Sequence, residues 1–187
     1  MKRIIAGVDE VGRGSLIGPV YAAAVILNES INTKILKDSK TLSKEKREEL
    51  YFYIKKNSIW AIGQASVKEI EKINILHASL LAMKRAIIKL KKKPSLVLID
   101  GNKLPTLKNY NLECLIKGDQ KIPSISAASI IAKVSRDRFI TTLSKKFNKY
   151  GWDTNSGYGT KEHIRAIKKY GVTKYHRKTF SPVSKFE

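Results

Sequence analysis

An apolar run near the N-terminus ends in two adjacent carboxylates, turns through glycines and continues as a second apolar run. The stretch reads Asp9-Glu10-Val11-Gly12-Arg13-Gly14-Ser15-Leu16-Ile17-Gly18-Pro19-Val20. Apolar residues at 4–8 predict a strand, and those at 20–27 predict a second strand that is buried. Because the connection is short and rich in glycine, we expect an antiparallel hairpin in the core of an α/β domain.

The charge of the chain predicts its partner. Among 187 residues, 37 Lys and Arg exceed 16 Asp and Glu, which gives a formal net charge of +21. Such an excess predicts nucleic acid as a partner, although an acidic membrane surface or a lysine-rich codon bias would also account for it. No apolar run reaches transmembrane length and no signal-peptide region precedes Asp9, so we expect a cytoplasmic protein without a membrane partner.

Strand and helix patterns alternate along the rest of the chain. Further strands are predicted at 59–67, 96–100 and 112–116, and helices after Ser43, at 76–90, at 124–150 and at 160–170. This order predicts an α/β sandwich in which a mixed sheet has flanking helices. The main domain would cover residues 1–150, and a small C-terminal helical appendage would cover residues 151–187.

The single cysteine, Cys114, excludes an internal disulfide and a cysteine-rich zinc site. It alternates with Leu112 and Ile116 in a predicted strand. This pattern predicts a thiol that is buried in the core.

Four acidic residues each lie at the end of a predicted strand, beside a glycine or another acid. They are Asp9, Glu10, Asp100 and Asp119. Carboxylates that converge in a cleft repel each other, and divalent cations remove that cost. Ligands that are all oxygen suit Mg²⁺ or Mn²⁺. Two such ions, roughly 4 Å apart, can activate a water and stabilise the leaving oxygen of an in-line displacement.

Adjacent residues in a strand point to opposite faces, so Asp9 and Glu10 can share a metal site only where the strand ends or bends. The glycines at positions 12 and 14 make such a departure possible. The alternative is that Asp9 only begins a turn and that Glu10 is exposed, and the spacing does not decide between the two. A metal site beside the glycine-flanked Arg13, which can bind an anion, would be the active site of a nuclease.

Six ordered motifs extend over nearly the whole chain. They are Asp9-Glu10-Val11-Gly12-Arg13-Gly14, Asp38-Ser39-Lys40, Leu98-Ile99-Asp100-Gly101-Asn102, Lys117-Gly118-Asp119, the stretch from Ser126 to Asp137, and Gly157-Tyr158-Gly159-Thr160 followed by His176-Arg177. Together they resemble bacterial ribonuclease HII, a type 2 ribonuclease H. The resemblance implies an RNase H-like catalytic domain over residues 1–150 and a substrate-binding extension over residues 151–187.

The resemblance also implies the activity. It predicts an endoribonuclease that hydrolyses the RNA strand of RNA/DNA hybrids and nicks DNA 5′ to a single embedded ribonucleotide. The products would carry 3′-hydroxyl and 5′-phosphate ends, as ribonucleotide excision repair requires. The catalytic and metal-binding residues would be Asp9, Glu10, Asp100 and Asp119, with two Mg²⁺ or Mn²⁺ ions during catalysis.

Substrate-binding residues follow from the same resemblance. Gly12, Arg13 and Gly14 would read the ribose 2′-hydroxyl, the one group that separates RNA from DNA at a nucleotide, and Tyr158 would stack on the following deoxyribose. Further phosphate contacts are predicted for Lys40, Lys133 and Arg136. We expect a monomer, and no motif for binding a sliding clamp is evident.

His163 and His176 have no other histidine or cysteine nearby in the sequence. We interpret them as packing residues or as residues near a phosphate rather than as metal ligands.

Two other functions stay open at this point. A non-catalytic basic nucleic-acid-binding protein would also explain the charge, and it would bind in a salt-sensitive manner without cleaving. An RNase H-like DNA nuclease would share the carboxylates but would ignore the ribose. The turn at 12–14 argues against the second alternative.

Overall fold

The predicted hairpin lies at the centre of a five-stranded sheet in the computed structural model, which describes residues 3–36 and 42–186. The strands are β1 (Ile5–Val11), β2 (Val20–Leu27), β3 (Ser58–Ala65), β4 (Leu96–Asp100) and β5 (Leu112–Leu115). Their order across the sheet is β3-β2-β1-β4-β5. β1 to β3 are antiparallel neighbours, whereas β4 and β5 extend the sheet in parallel. The predicted mixed sheet is confirmed.

Helices cover both faces of this sheet. They are α1 (Lys44–Lys56), α2 (Val67–Ile88), α3 (Pro123–Lys146), α4 (Trp152–Asn155) and α5 (Lys161–Tyr170). Two predicted N-caps are confirmed: Ser43 accepts a hydrogen bond from the Lys46 N–H, and Thr160 accepts one from the His163 N–H. Each cap satisfies a first-turn amide that has no partner within its helix.

Two helices differ from their predicted bounds. α2 begins earlier, because Ser66 and Glu69 form a reciprocal capping box. Its path is interrupted at Asn74, which has a φ of 62° and whose side chain accepts from the amides of the next turn. α3 ends before residue 150: a 3₁₀ turn (Asn148–Tyr150) follows it, and then Gly151 in the left-handed conformation.

Small side chains on β2 let helices approach from both sides. Ala22 and Ala24 belong to the apolar cluster that includes α2, whereas Ala23 and Val25 belong to the cluster formed with α1 and α3. All four are fully buried. The sheet is therefore the middle layer of a three-layer sandwich.

The first turn of α3 lies directly against β1 at Gly7. A Cβ at this position would lie 2.1 Å from the Ser124 carbonyl carbon and 2.2 Å from the Ile125 nitrogen. Only glycine permits this approach. The contact determines where α3 crosses β1, and it brings Ser129 on the next turns of α3 to Asp9, two residues further along the strand.

The edge strand β5 differs from expectation in its burial. Cys114 is exposed and Ile116 is 67% exposed, so the prediction of a buried thiol was wrong. Alternation predicts burial only where another layer covers the strand, and β5 is a short strand at the edge of the sheet.

The C-terminal segment packs on the loop between β1 and β2. A separate apolar cluster joins Leu16 and Ile17 of this loop to Trp152 and Ile167. Ile17 also forms an isolated antiparallel bridge with His176. The appendage and the glycine-rich loop therefore support each other. Among the described residues, none of the helices combines the length and apolar character needed to cross a bilayer.

We expect Gly7→Ala to lower the free energy of unfolding by about 1–3 kcal/mol, because the added methyl group would push α3 away from β1. Urea unfolding followed by circular dichroism measures this change. Gly14→Ala is the matched control, since its added Cβ would meet only Tyr158 Cε1, at 3.9 Å. Equal stabilities of Gly7→Ala and the wild type would contradict the close approach.

Candidate active site

Three carboxylates from separate elements converge at one end of the sheet. Asp9 lies on β1, Asp100 ends β4, and Asp119 lies in a 3₁₀ turn (Gly118–Gln120) after β5. Each places an oxygen within 4.8 Å of the others, a spacing that could hold a metal ion. Asp9 and Asp119 are only 5% and 3% exposed. Side chains at the carboxyl ends of parallel strands meet at one edge, which is why the sequence could predict this group.

A glycine connects the turn of Asp119 to β4. The Gly118 N–H donates a hydrogen bond of 2.7 Å to Asp100 Oδ1. A Cβ at Gly118 would lie 2.6 Å from Ile125 Cδ1, so a larger residue would push the turn away from the strand. The hydrogen bond places Asp119 beside Asp100 and orients one oxygen of Asp100.

The sequence predicts that the strand before Asp9 and Glu10 ends at residue 8. The structure differs from this prediction. β1 continues to Val11, and its pairing with β2 includes both acidic residues. The parallel ladder with β4 stops earlier, at the pair formed by Val8 and Ile99. Beyond that pair β4 no longer borders β1, so side chains from either face can reach the sheet edge. The departure of β4, rather than an end of β1, creates the opening that the two carboxylates share.

Asp9 and Glu10 approach this opening from different sides. Asp9 pairs with Ala23, which packs with α1 and α3, whereas Glu10 pairs with Ala22, on the side of α2. Directly opposed residues of an antiparallel pair face the same side. Glu10 is therefore not part of the three-aspartate group, yet it lines the same cavity.

Glu10 has one charged partner and one oxygen without a donor. Its Oε1 accepts from Arg13 Nη1 at 3.3 Å. Its Oε2 is buried and has no hydrogen-bond partner among the described residues. The side chain is 14% exposed, so the alternative of an exposed Glu10 is wrong. A buried carboxylate oxygen without a donor is costly, and a cation in the cavity would remove that cost.

The cavity beside these carboxylates has a volume of about 310 Å³. It is lined by Asp9, Glu10, Val11, Arg47, Asp100, Ser129, Lys133 and Tyr158. The carboxylates and Tyr158 thus share one cavity, although they are far apart in the sequence. Lys133 lines it while forming a 3.0 Å ion pair with Asp137, one turn further along α3. Arg47 and Lys133 give the wall positive charge, which suits an anionic substrate.

The electrostatics of the carboxylates also fit a cation. Burial raises the pKa of Asp9 well above its ordinary value, and the charges of Glu10 and Asp100 raise it further, against hydrogen bonds from the Ser129 hydroxyl and the Glu10 N–H. Burial likewise raises the pKa of Glu10, and the nearby Arg13 opposes that shift. A divalent cation would favour the charged forms, and the donor set is all oxygen, as Mg²⁺ and Mn²⁺ prefer.

The glycine-rich turn rests on a buried arginine. Arg136, which we predicted to contact a phosphate, is fully buried. Its Nη2 donates to Ser15 Oγ at 2.7 Å and to the Ile17 carbonyl at 3.2 Å. Gly12 has a φ of 90°, and a Cβ there would lie 2.3 Å from Arg136 Nε. The phosphate prediction was wrong, because this guanidinium lies beneath the turn and supports its backbone.

A second buried arginine was not singled out from the sequence. Arg177 donates from Nη1 to the Arg13 carbonyl at 2.9 Å and from Nε to the Gly18 carbonyl at 3.0 Å. Burial, together with the neighbouring charge of Arg136, lowers the pKa of Arg177 to about 9, so it remains charged at neutral pH. Its only signal in the sequence was its place in the motif with His176.

Two more differences concern single residues. Ser129 was noted only as part of a longer motif, yet its hydroxyl donates a hydrogen bond to Asp9. Lys40 and its motif lie outside the described residues, so its predicted substrate contact stays a prediction.

His163 and His176, which were singled out from the sequence, are buried, and neither lines the cavity of the carboxylates. His163 and His176 are 0% and 1% exposed, and their Nε2 atoms are 3.3 Å apart. They pack among aromatic rings, including Tyr150 and Trp152. Packing is confirmed, whereas proximity to a phosphate is wrong, because buried imidazoles cannot reach one. Burial lowers the pKa of both residues, that of His176 to about 4.

We expect Asp9→Asn to raise the free energy of unfolding of the metal-free protein, by about 1 kcal/mol, because it removes a buried charge that repels its neighbours. Urea unfolding at pH 7 with a chelator measures this. Added Mn²⁺ should stabilise the wild type and not the variant. A less stable variant, or equal stabilisation of both proteins by Mn²⁺, would contradict the assignment of Asp9.

The buried histidines predict a pH dependence of stability. Between pH about 6.5 and 4 the unfolded chain binds protons that folded His176 does not, so the free energy of unfolding falls as the pH falls. The raised pKa values of Asp9 and Glu10 act in the opposite direction, because they make the free energy of unfolding rise as the pH falls. The contribution of His176 is therefore measured by comparing the wild type with a variant that lacks this histidine. We expect a shallower fall in His176→Gln than in the wild type, measured by urea unfolding at several pH values. Parallel curves would refute the prediction.

Comparison with known proteins identifies the family. The Ribonuclease HII family model matches residues 6–183. Ribonuclease HII of Pelagibacter ubique (strain HTCC1062) is 85% identical over 182 residues, which are 97% of this chain and 98% of that protein. Ribonuclease HII of Nitrosospira multiformis is 52% identical over 180 residues, which are 96% of this chain and 90% of that protein.

A solved structure supports the fold. The crystal structure of the ribonuclease H2 from Pyrococcus horikoshii OT3 matches with a TM-score of 0.81 at 30% identity, covering 98% of this chain and 96% of that chain. The predicted RNase H-like fold is confirmed. Because the family model and its relatives extend over nearly the entire sequence, the chain belongs to the ribonuclease HII family and is a ribonuclease H, a nuclease of the hydrolase class.

Proposed function

We propose that this ribonuclease H hydrolyses the RNA strand of RNA/DNA hybrids and also nicks DNA 5′ to a single embedded ribonucleotide, leaving 3′-hydroxyl and 5′-phosphate ends. One observation carries the proposal: Asp9, Glu10 and Asp100 line one cavity together with Tyr158, and Asp119 places an oxygen within 4.8 Å of oxygens of Asp9 and Asp100. Groups suited to hydrolysis and a side chain suited to contact a sugar are therefore within reach of the same nucleotide.

The metal-binding residues of the proposal are the converging aspartates Asp9, Asp100 and Asp119, together with Glu10, and they would hold two Mg²⁺ or Mn²⁺ ions. The orphaned Oε2 of Glu10 and the raised pKa of Asp9 support this assignment. When bound, such ions neutralise the carboxylates and the scissile phosphate and activate a water for in-line attack.

The chain's own residues orient the ions and the substrate. Gly118 and Ser129 hold Asp100 and Asp9 by hydrogen bonds, so these carboxylates do not need to reorganise when substrate arrives. Lys133 and Arg47 offer positive charge to the phosphates next to the cleaved bond. Arg13 is half exposed, and it can exchange Glu10 for a phosphate oxygen once cations neutralise Glu10.

Recognition of the ribose is assigned to the turn Gly12-Arg13-Gly14 and to Tyr158. Arg177 holds the Arg13 carbonyl from the buried side. In a trans peptide the N–H of the next residue points the opposite way, so the Gly14 N–H faces away from Arg177. This amide is suited to a 2′-hydroxyl, which accepts as well as donates and which DNA lacks.

The proposed substrate also bears on the setting of the enzyme. The net charge of +21 supports a nucleic-acid substrate. Because bacterial DNA lies in the cytoplasm, we propose a cytoplasmic enzyme. A monomer is the proposed state, since one chain supplies every residue of the proposed site.

A duplex with one ribonucleotide tests the proposal. Wild-type protein should nick it 5′ to the ribonucleotide in Mg²⁺ or Mn²⁺ and leave an all-DNA duplex of the same sequence intact. Asp100→Asn should lose more than about 100-fold in rate, because removal of a metal ligand costs at least as much as loss of an outer-shell partner. Denaturing gel electrophoresis with end-labelled strands measures both results.

The alternatives predict different outcomes of that assay. Equal cleavage of plain DNA would support a DNA nuclease that ignores the ribose. Salt-sensitive binding without cleavage in any metal, unchanged in Asp100→Asn, would support a non-catalytic binding protein.

The turn can be tested apart from the carboxylates. We expect Gly14→Ala to reduce kcat/KM on the one-ribonucleotide duplex by about tenfold, the effect of losing one interaction of roughly 1.4 kcal/mol, because the added methyl group would lie 3.9 Å from Tyr158 Cε1, between the turn and that ring. Its stability should match the wild type in urea unfolding. Wild-type kcat/KM in this variant would remove the turn from ribose recognition.

A further inference from the structure

The backbone of Tyr158 lies in a tight turn between α4 and α5. The two preceding residues are both left-handed, with φ of 49° at Ser156 and 77° at Gly157. Non-glycine residues adopt this conformation only where surrounding contacts hold it. The Gly157 carbonyl accepts hydrogen bonds from the Leu16 N–H and from Ser15 Oγ, so the turn is joined to the glycine-rich loop. The position of Tyr158 relative to that loop depends on how this turn is held.

Within the described part of the chain, three hydrogen bonds hold the Tyr158 backbone itself. Its N–H donates to the Asn155 carbonyl at 2.9 Å. Its carbonyl accepts from the Thr160 N–H at 2.9 Å and lies 2.9 Å from His163 Nδ1. The last of these is the only one that comes from a side chain, and it acts only if Nδ1 carries a proton.

Trp152 determines where that proton lies. Its indole Nε1 is 2.9 Å from His163 Nε2. An indole N–H can only donate, so His163 Nε2 must be the unprotonated acceptor. A neutral imidazole then carries its proton on Nδ1, facing the Tyr158 carbonyl. The hydrogen bond to Tyr158 is therefore a consequence of the hydrogen bond from Trp152.

His176 reinforces the same arrangement. The Thr173 N–H donates to His176 Nδ1 at 2.9 Å, so this nitrogen is the acceptor and the proton of His176 lies on Nε2. That Nε2–H is 3.3 Å from His163 Nε2. Two buried donors thus face the same nitrogen of His163. Trp152, His163 and His176 are each at most 1% exposed, so water cannot replace these partners.

We propose that His163 is a positioning residue for ribonucleotide recognition, held by Trp152 and His176 as the tautomer that donates to the Tyr158 carbonyl. The proposal rests on the proposed role of Tyr158 in contacting the sugar. His163 does not touch the substrate; it holds the turn on which the Tyr158 ring is carried over the cavity. A residue that merely fills the core would stabilise the fold without affecting this turn.

Two substitutions separate positioning from packing. His163→Asn places an amide nitrogen near the position of Nδ1, so it can still donate to the Tyr158 carbonyl, but it loses the hydrogen bond from Trp152. In His163→Gln the side-chain amide reaches the position of Nε2, so it can still accept from Trp152, but it loses the hydrogen bond to the Tyr158 carbonyl. Both remove the ring and should lower the free energy of unfolding. The exposed His77, changed to Gln, is a control on α2.

Steady-state nicking of the one-ribonucleotide duplex reads out the difference. We expect His163→Gln to raise KM about tenfold, the effect of roughly one lost hydrogen bond, with kcat changed far less. His163→Asn should stay within about threefold of the wild type at a temperature where both variants are folded. Equal losses in the two variants, or a greater loss in His163→Asn, would overturn the proposal.

The tautomers can be measured without substitution or activity. Nitrogen-15 NMR of the histidine-labelled full chain at pH 7 should show a protonated Nδ1 in His163 and a protonated Nε2 in His176. The opposite tautomer of His163 overturns the proposal even if neither variant folds. Failure of the wild type to nick the duplex would instead refute the proposed function, and the NMR result would still decide the arrangement of His163.

Discussion

The close contact between α3 and β1 at Gly7 is the constraint on which the candidate active site depends. It lets a helix backbone lie directly on the central strand, so Ser129 reaches Asp9 although Asp9 lies inside a sandwich of three layers. A larger distance between α3 and β1 would let water enter between them, and this water would screen the repulsion among the carboxylates. The site therefore buries more negative charge than Arg13 offsets, and this charge lowers the stability of the metal-free fold.

Buried polar side chains support the glycine-rich loop and the turn that carries Tyr158. Arg136 and Arg177 are fully buried, and they hold the backbone of the glycine-rich loop from beneath. His163 does the same for the turn of Tyr158. Backbone carbonyls of irregular segments accept from the two arginines, whereas Arg136 Nε and Arg177 Nη2 have no hydrogen-bond partner among the described residues. The C-terminal segment thus contributes His163 and Arg177 beneath the candidate site and Tyr158 to the wall of its cavity.

Several features were readable from the sequence because they depend on local pattern. The hairpin, the parallel strand that ends in Asp100 and the capped helices follow from periodicity and capping chemistry, and the structure confirms them. Ordered motifs carried the family resemblance, which the comparisons confirm. The errors arose where burial decides the role of a residue. Arg136 belongs to a sequence motif from which we predicted a phosphate contact, but it is buried and supports the loop. Cys114 alternates with apolar residues as a core residue would, but it is exposed on an edge strand.

The sequence by itself determined which chemistry is possible: oxygen ligands for a hard cation, a glycine-flanked turn for a sugar or phosphate, and strands that end in carboxylates. Only the tertiary structure decided how these groups meet. Asp9 and Glu10 share a cavity because β4 leaves β1 one residue before them, although β1 itself continues. That outcome depends on the register of two strands that are separated by most of the first half of the chain. A local pattern cannot specify it, because register is set by packing over the whole sheet.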